Sequence, residues 1–232
     1  MTELNASDAL KRASSFRFFS SGSEGIDRLL RGGFRAGRVI ELFGRGGSGK
    51  SLLAAQAALL AARAGKKTLY VDTEGSFRPE RLQQVADSRG WGASLLEKIV
   101  YVRTDSASEQ METVRRMASR AATSQCGLVV VDTLTRNFTV ELPGRSNLSS
   151  RQEALDVHLS EMARDACIND RAYLLTNRVT FGTLHDVRIG GRTVDQLVQG
   201  SVMLERRDGE VRATLLPSGE SVVAKIGSNG ID

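Results

Sequence analysis

One run of eight residues constrains this chain more than any other. Gly44-Arg45-Gly46-Gly47-Ser48-Gly49-Lys50-Ser51 fits GxxxxGK[ST] in full. An apolar β-rich run, Val39 to Phe43, precedes it. A helix-like stretch follows from about Lys50 to Ala64, with Gly65 placed to end it. That order, strand then glycine-rich turn then helix, is the context a phosphate loop needs. The glycines let backbone N–H groups curl around phosphate oxygens, and the helix N-terminus adds partial positive charge. Lys50 is expected to contact the β- and γ-phosphates and to act in catalysis. The Ser51 hydroxyl is expected to bind Mg²⁺, and Leu52 completes the predicted ATP-binding set.

The rest of the chain supplies the sheet that such a loop requires. Thr68 to Asp72, Ile99 to Val102, Leu128 to Asp132 and Tyr173 to Asn177 read as strands. Helices are predicted from Pro79 to about Ser88, from beyond Ser108 to about Ala122, and from about Arg151 to Ile168. Residues Thr133 to Ser150 and Thr180 to Arg192 read as loops. Three closing strands, Ser201 to Arg206, Val211 to Leu216 and Val222 to Ile226, lack intervening helices, and Asp208-Gly209 marks a hairpin between the first two. The expected fold is α/β, a mainly parallel twisted sheet flanked by helices, with an antiparallel C-terminal extension. No internal repeat or linker is visible. One domain is expected over residues 20–232, after a short N-terminal segment, 1–19.

Composition narrows the partners. Hydrophobic residues are 41% of the chain and charged residues 25%, which is globular rather than disordered. The net charge of +5 and the excess of arginine (26 of 32 basic residues) admit a polyanion without requiring one. Cys126 and Cys167 cannot build a disulfide framework or a zinc site, and both read as small buried hydrophobes. The N-terminus is no secretory signal, and the longest uncharged apolar run, Ser51 to Ala62, is too short to span a bilayer. No membrane partner and a cytoplasmic location are therefore expected.

Two carboxylates complete the chemistry. Asp132 ends the apolar strand LVVVD, at the sheet edge where ligands bind, and is expected to support the metal. Glu74 lies just beyond the strand ending at Asp72 and is the better candidate to orient water for hydrolysis. Asp72 reads as a supporting residue. Asn177 either senses the γ-phosphate or bonds nearby backbone, and its residue type leaves both open.

At these residues the chain resembles the RecA superfamily, in the branch of archaeal RadA and the eukaryotic strand-exchange recombinases. Ser21 to Gly33 (SGSEGIDRLLRGG), Tyr70 to Leu82 (YVDTEGSFRPERL), Gly144 to Gln152 (GRSNLSSRQ), Leu175 to Val179 (LTNRV) and Ile189-Gly190-Gly191 carry the likeness. The resemblance implies that Glu74 polarises water and that Arg81 stacks on adenine, a task suited to a planar guanidinium. It implies single-stranded DNA contacts at Arg145 and Arg151 in a first loop, and at Arg178, Phe181 and Arg188 in or beside a second. Arg178 stands where the family has Gln. The second loop, residues 180–188, and the stretch Leu215 to Ile226 are shorter than in the family, and only 19 residues precede Ser20. These departures fit a RadB-type paralogue. It would hydrolyse ATP slowly with Mg²⁺, bind DNA, and assist a main RadA-type recombinase or other repair proteins. A nucleotide-switched protein-binding adaptor is the alternative; a clock-type signalling ATPase fits the motifs less well.

Overall fold

The structure is a computed structural model that describes residues 17–119, 126–181 and 186–232. Its strands are β1 (Phe18–Phe19), β2 (Phe34–Arg35), β3 (Arg38–Gly44), β4 (Lys67–Asp72), β5 (Ile99–Arg103), β6 (Cys126–Asp132), β7 (Ala172–Phe181), β8 (Asp186–Arg188), β9 (Gly200–Arg207), β10 (Glu210–Leu216), β11 (Ser221–Gly227) and β12 (Gly230–Ile231). Its α-helices are α1 (Glu24–Leu29), α2 (Lys50–Arg63), α3 (Pro79–Ser88), α4 (Ala107–Ser119), α5 (Arg136–Glu141), α6 (Leu148–Asn169) and α7 (Gly191–Leu197). A short 3-10 helix, Ala93–Lys98, leads into β5.

The main sheet runs β12-β11-β10-β9-β3-β7-β6-β4-β5. β9, β7, β6, β4 and β5 join β3 in a parallel block, and β10, β11 and β12 extend it antiparallel. The expected mixed sheet is therefore present, with one refinement: the first of the three closing strands lies parallel to β3.

Strand alternation divides the core into two layers. Leu128 and Val130 face one side, against Leu53, Ala54, Ala57, Ala58 and Ala61 of α2. Val129 and Val131 face the other, against Leu155, Leu159, Met162 and Ala166 of α6. Both faces of β6 are covered, which is why its sequence is a continuous apolar run. Each fully buried Val or Leu side chain contributes about 1.5–3 kcal/mol. The small side chains of α2 let it lie close to the sheet, with the phosphate loop at its start.

Several expectations need correction. Residues 133–150 are not one loop: α5 forms within them, and α6 begins at Leu148. Residues 180–192 hold the end of β7, the strand β8 that pairs back on it, and the start of α7. The expected end of α4 near Ala122 falls outside the described residues. Its start lies earlier than expected, because Ser106 Oγ accepts the Glu109 N–H at 3.1 Å and the Glu109 carboxylate accepts the Asp105 N–H at 2.9 Å. That is a capping arrangement read from Ser106 rather than Ser108. β1, which precedes residue 20, pairs with β2, and Phe19 is buried. Cys126 is buried as expected, but Cys167 is exposed. Among the described residues, no helix is long and apolar enough to cross a membrane.

Candidate functional site

The C-terminal ends of β3, β7, β6 and β4 lie side by side. Register places Gly44 of β3 opposite Arg178 of β7, and Asp132 of β6 opposite Asp72 of β4. The strand-end residues that the sequence picked out one by one therefore meet along a single edge.

The loop turns sharply between β3 and α2. Gly44 has φ 153°, and a Cβ there would meet the Leu204 carbonyl oxygen at 2.2 Å. Gly49 caps α2 at φ 99°, in the left-handed region. Lys50 Nζ reaches back over the loop to the carbonyls of Gly44 (3.0 Å) and Arg45 (2.8 Å) and to Ser48 Oγ (3.3 Å). Burial holds the Lys50 pKa below the ordinary lysine value. Asp132 and Glu74 act against that shift and Arg178 adds to it. Beside the loop, a cleft of about 590 Å³ runs past Gly44 to Ser48 toward Met203 to Asp208 at the end of β9.

Asp132 is buried at the centre of a hydroxyl cluster. Oδ1 accepts from Ser51 Oγ at 3.1 Å and from Thr176 Oγ1, and Oδ2 accepts from Tyr70 OH at 2.7 Å. Burial first, then the Asp132 charge, raises the Tyr70 pKa well above the ordinary value, so the phenol keeps its proton and donates. A hard divalent cation fits the donors present. Ser51 and Asp132 offer two oxygens in contact, and Mg²⁺ characteristically takes few protein ligands and completes its shell with phosphates and water. Among the described residues, no group of three or more His, Cys, Asp and Glu side chains could hold a metal instead. Sequence reasoning missed Tyr70 and Thr176 as partners of Asp132. Their signal is positional only: one lies two residues before Asp72, the other directly before Asn177.

The turn carrying Glu74 is fixed by Asp72. Its Oδ1 accepts the N–H groups of Glu74 (2.9 Å), Gly75 (2.9 Å) and Ser76 (3.3 Å), and its Oδ2 accepts Phe77 N–H (3.1 Å) and Tyr101 OH (3.2 Å). Asp72 thus supports the loop rather than reaching a ligand. The Glu74 side chain is mostly buried. One oxygen pairs with the Arg178 guanidinium, and the other is buried without a hydrogen-bond partner. A buried carboxylate oxygen with a free lone pair suits a group that must hold a water molecule.

Asn177 is bonded at both ends. Its Oδ1 accepts from Thr135 Oγ1 (2.8 Å) and Arg178 N–H (2.9 Å). Its Nδ2 donates to Glu41 Oε1 (2.7 Å) and the Ile189 carbonyl (2.7 Å). Glu41, inside β3, was not foreseen. It is fully buried, and burial raises its pKa against the opposing effect of Arg188. Arg81 donates from α3 to the Gly227 carbonyl at 2.8 Å, tying that helix to the end of β11.

The arginines expected to face DNA differ in placement. Arg145 is exposed between α5 and α6. Arg151 donates to the Leu142 carbonyl at 2.6 Å and lines a groove of about 360 Å³ with Gln152, Thr180 and Gly190. That groove joins the two loops of the resemblance. Arg188 is turned inward: it bonds Glu41 at 2.5 Å and Ser201 Oγ at 2.8 Å, pairs with Asp195, and lies over the Phe43 ring. Only 14% of its side chain is exposed. The Phe181 side chain and the tip of the second loop, 182–185, lie outside the described residues.

A phosphate loop at the end of a sheet strand, with carboxylates and an amide on the adjoining strand ends, defines a nucleotide-binding protein with a RecA-like core. Residues 12–222 match the Rad51 family, and the chain belongs to it. It is 33% identical over 233 aligned residues to the DNA repair and recombination protein RadA of Ignicoccus hospitalis, covering 90% of this chain and 71% of that protein. It is 34% identical to RadA of Aeropyrum pernix (88% and 70%) and 35% identical to RadA of Metallosphaera sedula (94% and 72%). Members of the family are ATPases.

Proposed function

We propose that this protein is a DNA-binding, Mg²⁺-dependent ATPase of homologous recombination and repair, working beside a main strand-exchange protein rather than replacing it. One observation carries the reading: Lys50, Ser51, Asp132 and Glu74 converge on a single sheet edge, and β7 links that edge to the groove bearing Arg151. In this reading Lys50 and the loop N–H groups hold the phosphates, with Arg81 at the base. Ser51 and Asp132 would hold Mg²⁺, which supplies charge neutralisation on the phosphate oxygens. The carboxylate of Glu74 orients the attacking water through its unpartnered oxygen and accepts its proton. Arg145 and Arg151 supply phosphate contacts for single-stranded DNA. Slow turnover follows from the Arg178 pair, which occupies the other Glu74 oxygen. The assisting role rests on the short second loop.

The inward turn of Arg188 removes one expected DNA cation and favours, as a second reading, a nucleotide-switched adaptor that binds protein. ATP turnover with and without single-stranded DNA tests both. Lys50→Ala abolishes nucleotide binding and turnover if the site is assigned correctly. Arg145→Ala/Arg151→Ala removes DNA binding and any stimulation at low salt, where phosphate contacts are strongest. Wild-type protein that binds no DNA at low salt leaves only the adaptor.

A further inference from the structure

The helix that starts at the phosphate loop ends at the other side of the molecule. α2 has 14 residues, which puts its last turn about 20 Å from Lys50. Cations and one aromatic ring gather at that end. Arg63 closes the helix, and exposed Lys67 begins β4 just after Lys66. Lys98 Nζ, ahead of β5, points at the Ala62 carbonyl at 3.4 Å. Arg89, after α3, donates to the Asn229 carbonyl at 2.8 Å. Trp91 packs against the small core of Leu59, Leu82, Val85 and Ala86. The Arg63 and Arg89 guanidinium carbons lie 4.3 Å and 5.2 Å from its ring centre.

Residues 63–67 and 87–98 hold five cations against two carboxylates, Asp87 and Glu97, which leaves +3 of the chain's net +5. Among the described residues, none of the five cations contacts a carboxylate; their contacts are the ring and backbone carbonyls. Elsewhere on the surface Arg28, Arg115 and Arg116 each pair with a glutamate. The partial negative charge at the α2 C-terminus accounts for one or two cations, not five. We propose that this surface is a second nucleic-acid site, which grips backbone phosphates on the side of the molecule away from the phosphate loop. Cation–π contact uses the flat face of a guanidinium and leaves its in-plane N–H groups free, so Trp91 holds Arg63 and Arg89 ready for phosphate oxygens. Lys66, Lys67 and Lys98 extend the charge along a chain of phosphates. The site is distinct from the groove bearing Arg151, so one molecule could hold two strands.

Trp91 is the single tryptophan of the chain, so its emission reports on this surface directly. The test titrates the full chain, without nucleotide, with oligothymidylate, with a hairpin duplex and with polyglutamate, between about 50 and 200 mM salt. Trp91 emission is expected to respond to one or both nucleic acids, with an affinity that falls as salt rises. Arg63→Gln/Lys67→Gln changes two exposed side chains. It is expected to weaken that response about tenfold at low salt, and to flatten the log–log salt slope by about 1.4 on single strands or about 1.8 on duplex. Arg145→Ala/Arg151→Ala is expected to leave the Trp91 response and its slope unchanged, whatever it does to total DNA binding. Emission that neither nucleic acid moves overturns the proposal, as does an unchanged slope in Arg63→Gln/Lys67→Gln. A response to polyglutamate as strong as to either nucleic acid also overturns it and points to an acidic protein segment. If total binding ignores Arg145→Ala/Arg151→Ala while the Trp91 response persists, the groove reading fails and this one stands.

Discussion

At the scale of single residues, the buried His158 shows how strongly packing sets protonation here. It lies on α6, fully buried, with its ring beside Phe138. Gln110 Nε2 sits 3.3 Å from Nε2 and also donates to the Leu134 carbonyl, which makes Nε2 the acceptor and leaves the ring proton on Nδ1. Burial first, and the Arg115 charge second, push its pKa down from 6.5 to about 3. The unfolded chain therefore takes up a proton on this histidine at a higher pH than the folded one. Stability is full above the unfolded pKa and falls as pH drops from about 6.5 toward 3, by up to about 1.4 kcal/mol per pH unit from this group. Urea unfolding at pH 7, 6, 5 and 4 is expected to show that slope, and His158→Gln is expected to flatten it. An identical slope in the variant would assign the acid sensitivity elsewhere. Nothing local in the sequence marks His158, because its environment comes from three separate segments.

At the scale of elements, what was legible was what is locally encoded. The phosphate loop, β3, α2, β6 and the Asp208-Gly209 turn all carry their own signals: glycine spacing, an unbroken apolar run, and two residues with positive φ (49° and 83°). α5 carries none. Its sequence RNFTVE has a poor start and two β-branched residues. The helix persists because Phe138 is buried in the α6 layer and Asn137 bonds Thr104 and Ser106 across the loop before α4. The inward turn of Arg188 was equally unreadable, since its partner Glu41 is 147 residues away in sequence. The α4 cap, by contrast, is readable as Ser106-x-x-Glu109, two residues ahead of Ser108. Ser106→Ala is expected to cost about 1 kcal/mol and lower Tm by roughly 2–4 °C by calorimetry. A Tm unchanged within error would show that α4 is held by packing alone.

At the scale of the whole molecule, one buried side chain on the phosphate-loop helix joins distant parts of the chain. Gln56 Nε2 donates to the carbonyls of Ser21 and Ile231, both at 2.8 Å, and its Oε1 accepts the Ile231 N–H at 2.9 Å. Arg81 and Arg89 of the α3 segment add bonds to Gly227 and Asn229. Gln56→Leu keeps the volume but strands three backbone groups inside the protein. A loss of about 3 kcal/mol or more in urea unfolding is expected, from roughly 1–3 kcal/mol per buried unsatisfied group. A loss under about 1 kcal/mol would mean that water replaces the amide.

The Gln56 clasp has a topological consequence. Residues 21 and 231 lie within the span of one amide, so the polypeptide between them is nearly a closed ring. In a ring, the position of the break is a matter of convenience. A short splice from 231 to 21, with new ends cut at the Asp208-Gly209 turn, would keep every pairing of the main sheet, at the cost of β1, and leave the phosphate loop untouched.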